Sequence, residues 1–194
     1  TLKTNLSIKL TQIGLGLDET LCAEILERIL ARAKKNNTFI RIDMEDTPYT
    51  DKTINLIYAM KAKGYDNVGA VIQAYLYRSE ADVRRLINDD VLIRIVKGAY
   101  KEPADKAYPN KADTDANYDL LTKILFDASL DKRSSLSASG RIPPLPALAT
   151  HDEKRIAFAK SYAEKIGLPK NGFVSIIFSG QDFSIVNISG NGHG

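Results

Sequence analysis

Residues Leu92–Tyr100 read LIRIVKGAY, and Lys101-Glu102-Pro103 follow. Leu92, Ile93, Ile95 and Val96 form a short apolar run with one arginine inside it, which then breaks at Lys97-Gly98-Ala99. A run of this kind predicts a strand buried on both faces, the composition of parallel strands covered by helices. Burying Arg94 without a partner is costly, so its guanidinium should face something anionic or strongly polar. Gly98, just past the strand, lets backbone N–H groups come close to a ligand. A solvated strand end explains the isolated motif equally well, and the rest of the chain has to decide.

Working outward, the same grammar recurs. Leu6–Leu10 alternates and places Lys9 inside a strand; Gly14 and Gly16 then turn the chain, and Asp18 or Thr20 caps a helix running to about Ala33. Phe39–Asp43 is the next strand, with Asp43, Met44, Glu45 and Asp46 at its end. Pro48 closes that loop, and a helix over Thr50–Lys63 stops at Gly64. Val68–Leu76 carries Gln73 in its interior, and Ser79 with Asp82 resembles a capping box. Beyond the central strand, a helix is expected over about Asp113–Leu130, and Ser134–Pro146 reads as a mobile loop. Leu145–Thr150 is a strand ending in Thr150-His151-Asp152-Glu153, and Lys154–Ile166 is an amphipathic helix. Val174–Phe178 is β-prone, and an unstructured tail follows it.

Alternating strands and helices specify α/β architecture with a parallel sheet. A doubly wound nucleotide binder would carry a Gly-rich turn after its first strand, and no GxGxxG is present. Polar residues instead fall at the ends of several strands: Lys9, Asp43, Gln73, Arg94 with Lys97, and Thr150 with His151. That is the habit of a (β/α)8 TIM-like barrel, whose site is assembled from successive βα ends. About six βα units fit into 194 residues, whereas a full barrel takes about 250. The expected fold is therefore an incomplete barrel over residues 1–173, with residues 174–194 a divergent, partly disordered tail. Absent staves would leave unpaired strand edges and an aggregation-prone chain.

Composition narrows the function. A hydrophobic content of 44%, a charged content of 26% and a net charge of +3 describe an ordinary globular domain and give no electrostatic case for nucleic acid. Cys22 stands alone, which removes disulfides and thiolate clusters. No apolar run suits a bilayer span and no signal-peptide pattern opens the chain, so a cytoplasmic protein is expected. There is no GxSxG elbow and no P-loop. Two histidines do not make a multi-histidine metal centre. Asp43, Glu45, Asp46, Asp152 and Glu153 could hold a hard cation, although acidic residues after strands are more often solvated helix caps. What remains is a ring of cations and carboxylates around one cavity. Lys9 stands out, because a buried lysine needs an acid nearby, and Asp43 is the candidate partner. Gln73 reads equally as a satisfied buried amide, and His151 as a general base or a helix-start residue.

Five segments together resemble the FAD-dependent proline dehydrogenases of the single-domain bacterial type. They are KLTQIGL (Lys9–Leu15), RIDMED (Arg41–Asp46), VIQAYLYRSEAD (Val71–Asp82), RIVKGAYKEP (Arg94–Pro103) and ATHDEK (Ala149–Lys154). The resemblance covers about residues 5–173. It implies a distorted (β/α)8 barrel that holds FAD and oxidises L-proline to 1-pyrroline-5-carboxylate, passing electrons to a quinone-type acceptor. By that match Lys9 lines the substrate site and Asp43 is an active-site acid. Met44 and Gln73 touch the flavin, and Arg94 lies beside isoalloxazine N5. Val96, Lys97, Gly98 and Ala99 meet the ribityl and pyrophosphate part, Thr150 and His151 are flavin-chain contacts, and Glu153 is a ribose contact.

The departures are as specific. No match is found to the family's Arg-Arg pair that clamps the proline carboxylate, nor to its first strand. After Gly172 the resemblance stops abruptly, as a truncated or frameshifted product would. Impaired activity is the expectation, with two alternatives. One is an inactive barrel remnant that at most binds FAD. The other is a different (β/α) barrel enzyme acting on a small carboxylate through an iminium at Lys9. Peripheral contact with the inner membrane is compatible with all three, and no nucleic-acid partner is expected.

Overall fold

The computed structural model describes residues 5–179 and 182–186. Six consecutive parallel strands form one curled sheet: β1 (Leu6–Ile8), β2 (Ile40–Ile42), β3 (Val68–Gln73), β4 (Leu92–Val96), β5 (Pro146–Ala149) and β6 (Val174–Ser179). A seventh, β7 (Asp182–Val186), runs antiparallel to β6. Spatial order equals sequence order, the progression of a barrel wall. The chain is thus α/β with a partial TIM-like barrel, as expected. The β-prone run predicted at Val174 joins the sheet as β6, pairing Val174 with Ala147 of β5. The rest of the expected tail, 180–181 and 187–194, lies outside the described residues.

Alternation along the strands separates two faces. Ile40 and Ile42, Ala70 and Ile72, and Ile93 and Ile95 are buried against the helical layer. Each isoleucine there contributes about 1.5–3 kcal/mol of burial. The opposite, concave face carries the polar positions. Register places Ser7 beside Arg41, Arg41 beside Gly69, and Val71 beside Arg94.

The helices follow from local chemistry. In α1 (Glu19–Lys35), Asp18 and not Thr20 is the cap, accepting from Leu21 N–H at 3.0 Å, and Cys22, Leu26, Leu30 and Ala33 form the buried stripe. Helix α2 (Thr47–Ala62) begins three residues earlier than the sequence suggested. Pro48 sits in its first turn, where a missing N–H costs nothing, so it opens the helix instead of closing the loop. The orphan Thr47 N–H is met by Glu102 at 2.8 Å. In α3 (Ser79–Asn88) the expected capping box does not form: Arg78 is the cap position, and Ser79 is already helical and buried. Its hydroxyl accepts from Asn117 on α4 (Lys111–Asp131) at 2.9 Å, a tertiary bond that outcompetes the local one. Asp82 instead pairs with Arg78 at 2.7 Å. Helix α5 (Glu153–Ile166) is capped by Asp152, which accepts from Lys154 N–H at 3.0 Å, and closes on left-handed Gly167. Of the segment expected to be a loop, 134–146, Pro146 already belongs to β5, and 134–145 contains no regular element but is tied down. Ser137 N–H donates to the Ile142 carbonyl at 3.0 Å and Leu136 N–H to the Asn171 carbonyl at 2.8 Å.

Candidate active site at the ends of the strands

The C-terminal ends of β2 to β5 surround an open cavity of about 850 Å3, within the range of small-molecule and cofactor sites. Of the residues selected from sequence, Lys9, Asp43, Met44, Gln73, Arg94, Val96, Lys97, Gly98, Ala99, Thr150 and His151 all line it. Glu153 does not; it is the first residue of α5 and is exposed to solvent.

Arg94 is the centre of the site. Its side chain is 11% exposed, and one Nη pairs with the Asp43 carboxylate. The other Nη donates to Ser7 Oγ on β1 at 3.0 Å, so one guanidinium bridges β4, β2 and β1. Its Nε is buried with no partner among the described residues. Burial pulls the Arg94 pKa down and Asp43 pushes back, by charge and by hydrogen bond. The anionic partner that the sequence demanded for Arg94 is therefore Asp43.

That pairing corrects the expectation for Lys9. Strand β1 ends at Ile8, and Lys9 caps the short 3-10 turn Leu10–Ile13 instead of lying inside a strand. It faces the cavity and makes no ion pair among the described residues. Asp43 is taken by Arg94, whose long planar fork suits a carboxylate better than an ammonium does. Gln73 is the last residue of its strand, not an interior one. Its Nε2 donates to the Glu45 carbonyl at 2.9 Å, which anchors the loop carrying Met44. Glu45 is no cation ligand here, since its carboxylate accepts from Thr11 N–H at 3.0 Å and from Thr11 Oγ1.

Across the cavity mouth, Lys97 Nζ lies between Asp115 and Asp152, at 2.5 Å from each. Lys111 reaches the same two carboxylates, and Arg155 adds Asp115 at 3.4 Å and Asp119 at 2.8 Å. The Lys97 hydrogen bond, followed by that of Lys111, holds Asp152 well below the usual carboxylate range despite some burial. For Asp115, burial pushes upward, but the bonds from Lys111 and Lys97 outweigh it and the net shift is downward. Thr150 Oγ1 accepts from Asp152 N–H at 3.1 Å, which shapes the turn that presents His151.

Gly98 has φ +115, and a Cβ there would lie 2.4 Å from the Tyr75 ring. Tyr75 N–H also donates to the Lys97 carbonyl at 2.9 Å, so this tyrosine props the whole Lys97–Ala99 turn. Burial raises its phenol to about 12. Sequence reasoning missed Tyr75, Ser7, Asp115 and Lys111. Only Lys111 and Asp115 left a trace, the i,i+4 pair at the start of α4.

A second groove, of about 530 Å3, lies between α1 and the β1–β2 edge, lined by Leu6, Ile25, Ile29 and Ile40 with Arg28 and Arg32. It lacks the convergent acids and bases of the first, so the chemistry belongs to the strand ends.

The family model for proline dehydrogenase matches residues 1–180. This chain belongs to the proline dehydrogenase family. Proline dehydrogenase 2 of Bacillus subtilis (strain 168) is 37% identical over 172 residues, covering 89% of this chain and 52% of that protein. The proline dehydrogenase of Deinococcus radiodurans is 38% identical over 176 residues, with the same coverage of 89% and 52%. The chain thus spans about half the length of the curated relatives it matches. Among solved structures, proline utilization A from Bdellovibrio bacteriovorus, inactivated by N-propargylglycine, superposes with a TM-score of 0.73 at 26% identity. That match covers 89% of this chain and 20% of the larger one. Among the described residues, no helix is long and apolar enough to cross a membrane.

Proposed function

We propose that this chain carries the flavin-binding side of a proline dehydrogenase site, for oxidation of L-proline to 1-pyrroline-5-carboxylate in proline catabolism, with a quinone-type electron acceptor. One observation supports it most: residues from four strand ends and the Lys9 turn, chosen from sequence as flavin and proline contacts, share a single cavity.

The residues present fit FAD. Arg94 offers a buried Nε–H donor with no partner among the described residues, and Gly98 has no side chain to block close approach of its backbone. Lys97 and Lys111, held by Asp115 and Asp152, would have to exchange part of that pairing for phosphates at the mouth. When bound, the flavin supplies the acceptor for the hydride that leaves proline. The chain's own residues do the rest. Arg94, fixed by Asp43, presents positive charge where negative charge develops. Lys9 offers its ammonium to the substrate carboxylate. Gln73 and Met44 form the wall beside them. A cytoplasmic location, with peripheral contact where a quinone is met, belongs to the same reading.

Purified protein titrated with FAD should quench flavin fluorescence and turn yellow, and proline added without oxygen should bleach the colour. Yellow protein that stays oxidised would mark an inactive flavin-binding remnant; failure to take up FAD at all would overturn the proposal. A second reading rests on Lys9 alone, which lines the cavity without an ion pair among the described residues. An iminium at Lys9 would be trapped by borohydride in the presence of a small carbonyl acid, giving a stable mass increase on that residue.

A further inference from the structure

We propose that Ser7 is a positioning residue for the proline dehydrogenase site: its hydroxyl, together with Asp43, fixes the rotation of the Arg94 guanidinium and so the direction of the Nε–H edge. The inference deepens the flavin reading above and rests on it for its meaning, but not for its test.

Arg94 leaves β4 and crosses the concave face of the sheet. Asp43 holds one Nη and Ser7 Oγ accepts from the other at 3.0 Å. A single carboxylate contact on one nitrogen would leave the group able to swing about its long side chain. A second acceptor, on a different strand and on the other nitrogen, fixes both the plane and its rotation. Of the guanidinium's three nitrogens, Nε is the one that is buried with no partner among the described residues. Arg94 lines the cavity. Ser7 lies on the edge strand and is exposed, and Arg94 is the partner its hydroxyl meets. An exposed serine on β1 whose hydroxyl meets an arginine from β4 is placed for that arginine.

The test compares Ser7→Val with Ser7→Thr. Both side chains are β-branched and alike in shape, and both suit a strand, so only the hydroxyl differs. Nitrogen-15 and carbon-13 spectra of the arginine side chains report rotation about the Nε–Cζ bond, which exchanges the two Nη nitrogens, without any cofactor. Wild type and Ser7→Thr should show two resolved Arg94 Nη signals, merged in Ser7→Val. Two resolved signals in Ser7→Val, or merged signals in wild type, would overturn the proposal. FAD titration of the same proteins should show Ser7→Val binding roughly three- to tenfold more weakly, the size of one ordinary net hydrogen bond because Ser7 acts through Arg94 and not on the flavin, with Ser7→Thr close to wild type. Equal affinity in all three would count against it. Should wild type take up no FAD, the flavin reading fails by itself, and the guanidinium spectra still decide what Ser7 does.

Discussion

Arg41 on β2 and Arg94 on β4 occupy the same concave face at neighbouring depths, and they are satisfied in opposite ways. Arg94, nearer the strand ends, has a carboxylate and a hydroxyl for its two Nη groups. Arg41, one layer deeper and 4% exposed, has peptide carbonyls: Ala70 at 3.3 Å and Leu92 at 3.2 Å. The Phe39 ring, 5.0 Å from its Cζ, completes the surround. Burial, and next the like charge of Arg94, pull the Arg41 pKa down to about 9 against a small opposing pull from Asp43. The mouth of the sheet is therefore a region where charge is paired and turned toward a cavity. Below it lies a floor where charge is tolerated at a cost. Chemistry that needs fixed cations belongs to the first, and the second is where stability is open to improvement.

Breaking the mouth should have the largest effect. Asp43→Ala leaves Arg94 as unpaired as Arg41, with an expected loss of about 3–5 kcal/mol for stranding a largely buried charge. Urea denaturation of the chain measures it, and flavin uptake should fall in parallel. Gly98→Ala attacks the same rim by sterics alone. The new Cβ meets the Tyr75 ring at 2.4 Å in a backbone region at φ +115 that alanine avoids. A loss of about 2–4 kcal/mol follows from overpacking and backbone strain together. Adding Tyr75→Ala should restore part of that loss; if the double variant is no better than Gly98→Ala, the ring is not the obstacle.

How much of this was legible beforehand differs between mouth and floor. The mouth could be read because polar residues at strand ends break an apolar pattern, as Asp43, Gln73, Arg94 and Lys97 do. Their partners could not. A lysine read as buried needs an acid, and Asp43 was the candidate, whereas the sheet brings Arg94 of β4 to Asp43. Asp115 clamps Lys97 from the start of α4, a distance no local pattern encodes. Ser79 shows the same limit: its sequence signature is a helix cap, and tertiary contact with Asn117 took it elsewhere. On the floor, Arg41 read simply as part of a motif. That it would be buried without a carboxylate among the described residues depends on Gly69, whose missing side chain leaves room for the Phe39 ring beneath it.

Sharpening the contrast from the other side, Arg41→Met should stabilise the chain by about 1–2 kcal/mol, because a flexible apolar side chain of similar length replaces a desolvated charge. Arg41→Lys should instead destabilise it, since the charge remains and the fork that reaches two carbonyls does not. Thermal melts at pH 7 give both values. A loss of stability in Arg41→Met would mean that the carbonyls and the Phe39 ring more than offset desolvation, and the floor would then resemble the mouth.

The smallest effect is the most specific, and it lies in alkaline solution. With a folded pKa of about 9, below that of an ordinary arginine, Arg41 carries its proton in both states below about pH 8, and the desolvation penalty is fully present there. From about pH 8 upward the folded chain begins to release a proton that the unfolded chain keeps, so stability attributable to Arg41 rises with pH. One proton over one unit is worth at most about 1.4 kcal/mol, and about 1 kcal/mol is expected between pH 9 and pH 10. Other groups work in the opposite sense. Burial pushes the Cys22 thiol up, and burial first, then Asp89, raises Tyr58 to about 12. These groups ionise earlier in the unfolded chain, so their contribution falls as pH rises. The stability gap between Arg41→Met and wild type cancels them, because both proteins contain them. That gap should be widest at and below pH 8 and narrow by about 1.4 kcal/mol by pH 10, about 1 kcal/mol of it above pH 9. If it stays constant, the proton never leaves Arg41 in this range, and the carbonyl cradle holds the charge as firmly as a carboxylate would.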